Sequence, residues 1–190
     1  MARPRGASLN TEIILDLIES VFSKLFLKDL TLAMISKELD IRPPSLYSHF
    51  KNLDDLKDQL TARALIKMKE HLEHDLSKNF KKNRLKTFMF SYRDFALENP
   101  LLFDSAQFGV RSDNSSLMEL ASEIVKISLE ILNEKGITGE KAIHQIRILR
   151  SLLNGFIMIE KQQGFQRSER LDKTFLELIK FTEKGLSNEN

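Results

Sequence analysis

The sequence predicts an all-α chain: an N-terminal three-helix helix-turn-helix head, joined by a connector helix to a C-terminal helical body. Glycine is scarce, seven in 190 residues, and nowhere is the two-residue alternation of a half-buried strand sustained. Apolar residues recur instead at helical spacing through every long segment. Between two such segments stands DIRPPSLYSHFKN, residues 40–52, which sets two of the chain's four prolines side by side.

Residues 11–27 place Ile13, Ile14, Leu17, Ile18, Val21, Phe22 and Leu25 on one stripe, predicting a first helix that packs one face. Thr31 is a candidate N-cap for a short second helix, whose Leu32, Ile35 and Leu39 form a narrow apolar edge. Asp40, Ile41 and Arg42 make the turn. The residue before a proline is pushed out of the α region, so Pro43 and Pro44 end the second helix. Pro44 suits the first position of a third, where its missing N–H costs nothing and its φ is already helical.

In that third helix Leu46 and Phe50, four apart, face inward. Ser45, Tyr47 and Ser48 project outward, with His49 at the edge. Hydroxyls, a phenol and an imidazole on one outward face have no evident partner in their own fold, which points to an external one. The structural alternatives are that Tyr47 covers the helix junction and that His49 bonds a neighbouring carbonyl. Asn52 caps the next helix, with Asp54 and Asp55 in its first turn and Leu53, Leu56 and Leu60 on its apolar face.

This connector runs towards Asp75, and head gives way to body between Leu65 and Asn83. The head is assigned to residues 1–52 and the body to 53–190. In the body, helices are expected at 84–98, 101–108, 117–133, 140–163 and 170–186. Along 140–163, apolar residues from Ile146 to Ile159 spread over about half the circumference, wider than the ~100° stripe that one-sided packing needs. Such a helix has two partners; pairing with a second subunit and burial within one subunit both satisfy that.

Composition closes several routes to function. Without cysteine there is no disulfide framework, thiol nucleophile or thiolate metal site. No unbroken apolar run is long enough to cross a bilayer and no signal-peptide core opens the chain, so a cytoplasmic location is expected. Net charge is only +2, and in residues 1–51 seven cationic side chains stand against six anionic ones. Affinity for nucleic acid must therefore come from where the charges sit.

The one-faced first helix, TLAMISKELDIRPPSLYSHF and the capped helix after it resemble the N-terminal DNA-binding head of the TetR/AcrR family of transcriptional regulators. The likeness covers about residues 11–60 and rests most on Thr31, Ile35, Leu39, Leu46, Tyr47, His49 and Phe50. Asp40 stands at the turn position where the family usually has glycine. Leu53 stands where it often has a phosphate-contacting lysine, a contact that Lys51 is placed to supply. RSLLNGFIMIEKQQGF, residues 150–165, is similar to the penultimate helix of members with a Trp-His-Gly signature, of which Gly155 remains.

The resemblance implies a ligand-responsive DNA-binding regulator, a repressor released from a palindromic operator by a small, largely apolar effector. Its expected partners are double-stranded DNA, the effector and a second copy of the chain, paired through the helices at about 140–163 and 170–186; Ser151 and Gly155 would permit close approach. No membrane, cofactor or metal is expected. Ser45 and Ser48 are candidates for base edges, and Arg42 for a guanine or a phosphate. Thr31, Tyr47, His49 and Lys51 are candidates for phosphates that fix register. Pro44 starts the helix that presents them, and Arg3 and Arg5 form a basic arm suited to the minor groove. Phe88, Tyr92, Phe95, Phe103, Phe108, Met118, Leu152 and Phe156 are the candidate lining of an effector cavity, against the default reading of each as ordinary core.

Two other classes stay open. A helical module whose head binds protein shares this architecture, and steep salt dependence of duplex binding separates the two. An all-α enzyme is the weaker alternative, since no Ser, His and carboxylate grouping and no phosphate-cradling glycine loop stands at a mechanistic spacing. His71 and His74, beside Glu70 and Glu73, have the spacing of a metal pair, but a full site needs further ligands and a solvated helical face is the ordinary reading.

Overall fold

The structure is a computed structural model, described for residues 10–79 and 83–187. Arg3 and Arg5 lie outside those residues. Among the described residues all regular structure is helical: α1 Thr11–Val21, α2 Leu32–Glu38, α3 Pro43–Tyr47, α4 Leu53–Lys78, α5 Arg84–Glu98, α6 Pro100–Phe108, α7 Ser115–Asn133, α8 Gly139–Lys161 and α9 Leu171–Ser187, with a 3-10 turn at Leu27–Asp29. No helix among them is long and apolar enough to cross a membrane.

The helix starts have chemical reasons. Asn10 Oδ1 accepts from the Ile13 N–H at 2.8 Å, Thr31 Oγ1 from Met34 at 3.2 Å, and Asn52 Oδ1 from Asp55 at 2.8 Å. Each satisfies a donor that the helix itself leaves without a partner, an interaction whose loss costs about 1 kcal/mol. Asn114 does the same for Leu117 at 3.2 Å, which brings the start of α7 forward to Ser115.

Helix ends are equally local. Asp40 (φ 49°), Gly136 (φ 77°) and Gln163 (φ 56°) adopt the left-handed conformation after α2, α7 and α8. In each case the next N–H reaches back to a carbonyl five residues earlier: Ile41 to Ser36 at 3.0 Å, Ile137 to Leu132 at 3.0 Å and Gly164 to Ile159 at 2.8 Å. These are Schellman ends. Asp40 thus adopts, without glycine's freedom, the strained geometry its position demands. Asp40→Gly is expected to raise stability by roughly 0.5–1 kcal/mol, a gain of a few degrees in melting temperature.

The first helix is shorter than its apolar stripe. α1 stops at Val21, the Phe22 N–H bonds the Ile18 carbonyl at 2.9 Å, and the chain turns so that the Ser23 carbonyl accepts from the Leu101 N–H at 3.1 Å. Leu25 therefore lies beyond the helix on which the stripe would place it.

Contacts divide the chain into two compact units: residues up to Met68 with Glu98–Ser122, and Lys69–Leu97 with the chain from Glu123 onward. The segment 53–190 contributes to both. In the first unit Ile14, Ile18, Leu30, Ile35, Leu46 and Phe50 are fully buried, each stabilising by about 1.5–3 kcal/mol. Arg63 of α4 bonds Glu12 of α1 at 2.7 Å and also pairs with Asp16 and Glu19, while Lys67 pairs with Glu19. α6 belongs to the same unit: buried Asp104 accepts from the Leu27 N–H at 2.7 Å. Gly109 sits so close that a Cβ there would lie 2.0 Å from Thr61 Oγ1.

The second unit has an aromatic centre. Phe175 packs 5.3 Å from Phe90 and 5.1 Å from Phe156, ring centre to ring centre. Arg93 lies among these rings, hydrogen-bonded to Glu160 and Asp172. The Glu160 hydrogen bonds hold the Arg93 guanidinium pKa above its ordinary value, against the opposing pull of burial. The Arg93 hydrogen bond holds the Asp172 carboxyl below the usual carboxylate range.

Candidate nucleic-acid interface

The proline doublet starts α3 one residue earlier than its sequence suggests, whereas α2 has already ended at Glu38 through the left-handed turn at Asp40, a correction to the reading that the prolines end it. Arg42 is the N-cap, in extended conformation with φ −63° and ψ 137°, and Pro43 takes the first helical position with Pro44 in the second. Neither position needs its N–H for an intrahelical bond, so both prolines are tolerated. α3 ends at Tyr47. Ser48 and His49 therefore stand in the turn that follows, a correction to the longer third helix. Buried Leu46 and Phe50 still share an inner face, because the Phe50 N–H bonds the Leu46 carbonyl at 2.9 Å.

Around this turn the outward groups are available. Tyr47 is 56% exposed, and its phenol has no hydrogen-bond partner among the described residues. Arg42, Pro44, Ser45, Ser48 and Lys51 are also exposed; His49 is half-buried, its ring 6.5 Å from that of Phe50. The Ser48 hydroxyl donates to the Ser45 carbonyl at 2.7 Å, which leaves its lone pairs to meet a donor. Thr31 is exposed at the start of α2; its oxygen accepts from Met34, and its hydroxyl proton remains to be donated. Lys51 is anchored through its backbone N–H to Asp55 Oδ2 at 2.7 Å, while Leu53 is half-buried and offers no charge.

The electrostatics are restrained. From Asn10 to Met68 there are eight cationic side chains and nine anionic ones. The acidic edge of α1, Glu12, Asp16 and Glu19, is met by Arg63 and Lys67 of α4. Arg42 and Lys51 are the cations that flank the exposed α3 turn in sequence.

The candidate cavity residues are split. Phe103, Phe108 and Met118 belong to the first unit; Phe88, Tyr92, Phe95, Leu152 and Phe156 belong to the second. Phe108 at 64% and Met118 at 49% exposure are surface residues, a correction: apolar identity at helical spacing does not say which face meets solvent. Phe88, Tyr92, Phe95 and Phe156 are buried, Leu152 is half-buried, and the Tyr92 hydroxyl donates to Asn154 Oδ1 at 2.9 Å. On α8, Leu149, Leu153, Phe156 and Ile157 are buried while Ile148 and Ile159 are exposed. The apolar half-circumference is thus used on one side only, within its own subunit.

Sequence reasoning missed Asp104, Asn114 and Arg93. For Arg93 a signal existed: an arginine inside the apolar run FMFSYRDFA, where solvation of a charge is impossible without a partner.

Comparison with known proteins agrees with this geometry. Residues 85–182 match the family described as Tetracyclin repressor-like, C-terminal domain. The chain is 30% identical over 162 residues, 85% of its length and 84% of the relative's, to the HTH-type transcriptional regulator YobS of Bacillus subtilis (strain 168). A protein of unknown function from Rhodococcus sp. RHA1 shares the fold with a TM-score of 0.77 at 16% identity, over 96% of this chain and 98% of that one. So does a TetR variant of Acinetobacter baumannii AYE in complex with minocycline, with a TM-score of 0.64 at 19% identity, over 95% and 98%. With a capped α2, a proline-started α3 and a matched C-terminal domain, the chain belongs to the TetR family of helix-turn-helix transcriptional regulators, and is a regulator and not an enzyme.

Proposed function

We propose that this regulator is a cytoplasmic homodimeric repressor that leaves a palindromic operator when a small, largely apolar effector binds. The observation that carries the reading is the exposed, unpartnered Tyr47 beside Ser45 and Ser48 on the segment that Pro43 and Pro44 start. Ser45 and Ser48 meet base edges in the major groove, Ser48 accepting from an adenine or cytosine amine. Arg42 meets a guanine or a phosphate. Thr31, Tyr47, His49 and Lys51 bond phosphates and set register, and Arg3 and Arg5 enter the minor groove. Residues 1–52 form the DNA-binding head, and the rest of the chain serves the effector and the dimer.

Two copies pair through the sides of α8 and α9 that carry exposed Ile148, Ile159 and Phe181, the last 69% exposed. Gly155 lies on α8 with open space around it. The effector lodges among Phe88, Tyr92, Phe95, Leu152 and Phe156, with the Tyr92–Asn154 pair as its polar handle. It acts by preferring a conformation in which the recognition segments are misplaced, weakening DNA binding by its differential affinity for that state. The minocycline complex of the TetR relative supports ligand binding as the mode of control.

The reading is tested by mobility shift of a duplex from the region upstream of its own coding sequence, at several salt concentrations. With Arg42 and Lys51 neutralising phosphates in two heads, log K is expected to fall with log salt at a slope of about −4, steepening towards about −7 if both arm arginines engage. Deleting residues 1–9 separates those cases. A salt-independent shift, or none, would refute the DNA-binding role and favour a head that binds protein.

A further inference from the structure

Arg93 is 5% exposed on α5. Its Nε donates to Glu160 Oε2 at 2.8 Å, Nη2 bonds the other Glu160 oxygen, and Nη1 donates to Asp172 Oδ1 at 3.0 Å. The guanidinium carbon lies 4.9 Å from the ring centre of Phe175 and 5.7 Å from that of Phe156. Glu160 is in the last turn of α8 and Asp172 in the first turn of α9. One rigid fork from a third helix therefore holds both limbs of the α8–α9 hairpin where they meet.

Adhesion of that hairpin does not require a charge. Phe156 and Phe175, 5.1 Å apart, hold α8 and α9 together by burial, which is non-directional and leaves two helices able to slide or rotate. A buried ion pair is weak evidence for stability, since well-packed apolar side chains serve as well, whereas fixing one arrangement among several is its best-attested use. The planar five-donor guanidinium supplies the missing direction. Tyr92, one residue before it, ties the same helix to α8 a second time through Asn154.

We infer that Arg93 is the positioning residue that sets the pose of the α8–α9 hairpin and so makes its outer face, with Ile148, Gly155, Ile159 and Phe181, able to pair with a second copy of this chain. The inference rests on the reading of that face as the dimer surface. It adds that α5, which carries Phe88, Tyr92 and Phe95, is tied by hydrogen bonds to both helices of that surface.

Two variants test it by sedimentation velocity over a concentration series, with circular dichroism and melting measured alongside. Asp172→Ala removes the α9 arm at an exposed carboxylate, together with a 3.7 Å pairing to exposed Arg170. Arg93→Lys keeps the charge and removes the fork. Both are expected to melt within a few degrees of the wild type, yet to raise the dimer dissociation constant at least about tenfold, within the range typical of coupling between sites. A purely structural role would lower the melting temperature and leave the dissociation constant of the folded protein unchanged, which would overturn the inference. A wild-type chain that stays monomeric would instead overturn the dimer reading beneath it.

Discussion

Tyr47→Ala is expected to abolish retardation of operator-containing duplex while leaving circular dichroism, melting temperature and sedimentation unchanged. The two halves of that expectation have separate causes. Tyr47 is more than half exposed, and its phenol bonds nothing among the described residues, so its removal falls in the class of surface substitutions worth within about 0.5 kcal/mol of stability. A hydrogen bond to a charged phosphate contributes about 1.5–3 kcal/mol, and a dimer makes it twice. The combined loss of roughly 3–6 kcal/mol is about two to four orders of magnitude in affinity. Tyr47→Phe distinguishes the hydroxyl from the ring, and is expected to lose most of the same affinity. Undiminished binding by both variants would remove Tyr47 from the interface.

Gly155→Arg is expected to convert the proposed dimer to a monomer that is no less stable as a folded subunit. Within the subunit, Gly155 is exposed on α8 and an added Cβ meets nothing within 4 Å. Replacing glycine inside a helix gains about 0.5–1 kcal/mol by itself. If a second copy packs there, the same side chain forces overpacking and buries a charge without a partner, and either is enough to break a close helix approach. Sedimentation velocity reads the oligomeric state and thermal melting the subunit. A Gly155→Arg protein that remains dimeric would move the pairing surface away from this face of α8.

Much of the fold was legible because its determinants are local. The caps at Thr31 and Asn52 and the Pro43–Pro44 start each depend on residues within four positions of one another. At Asp40, where glycine is usual, the sequence left open whether the aspartate adopts or avoids a left-handed turn, and it adopts one. The outward set Ser45, Tyr47 and Ser48 followed from the period of a helix, although Ser48 proved to sit just past its end. What stayed hidden depends on distant partners. α1 ends where the chain turns and Ser23 meets Leu101, and Arg93 finds Glu160 and Asp172 at separations of 67 and 79 residues. Neither pairing leaves a periodic trace. Phe108 and Met118 show the complementary limit, since an apolar side chain on a helix is compatible with core, cavity or surface until the neighbouring elements are placed.

The most direct measurement is selection of bound sequences from a random duplex pool by the full chain at one fixed salt concentration. A dimer presenting two Tyr47 faces to successive major grooves is expected to enrich an inverted repeat whose half-site centres lie about 10 base pairs, or a multiple of that, apart. A pool that returns unenriched, or that yields a lone half-site with no symmetric mate, would contradict it.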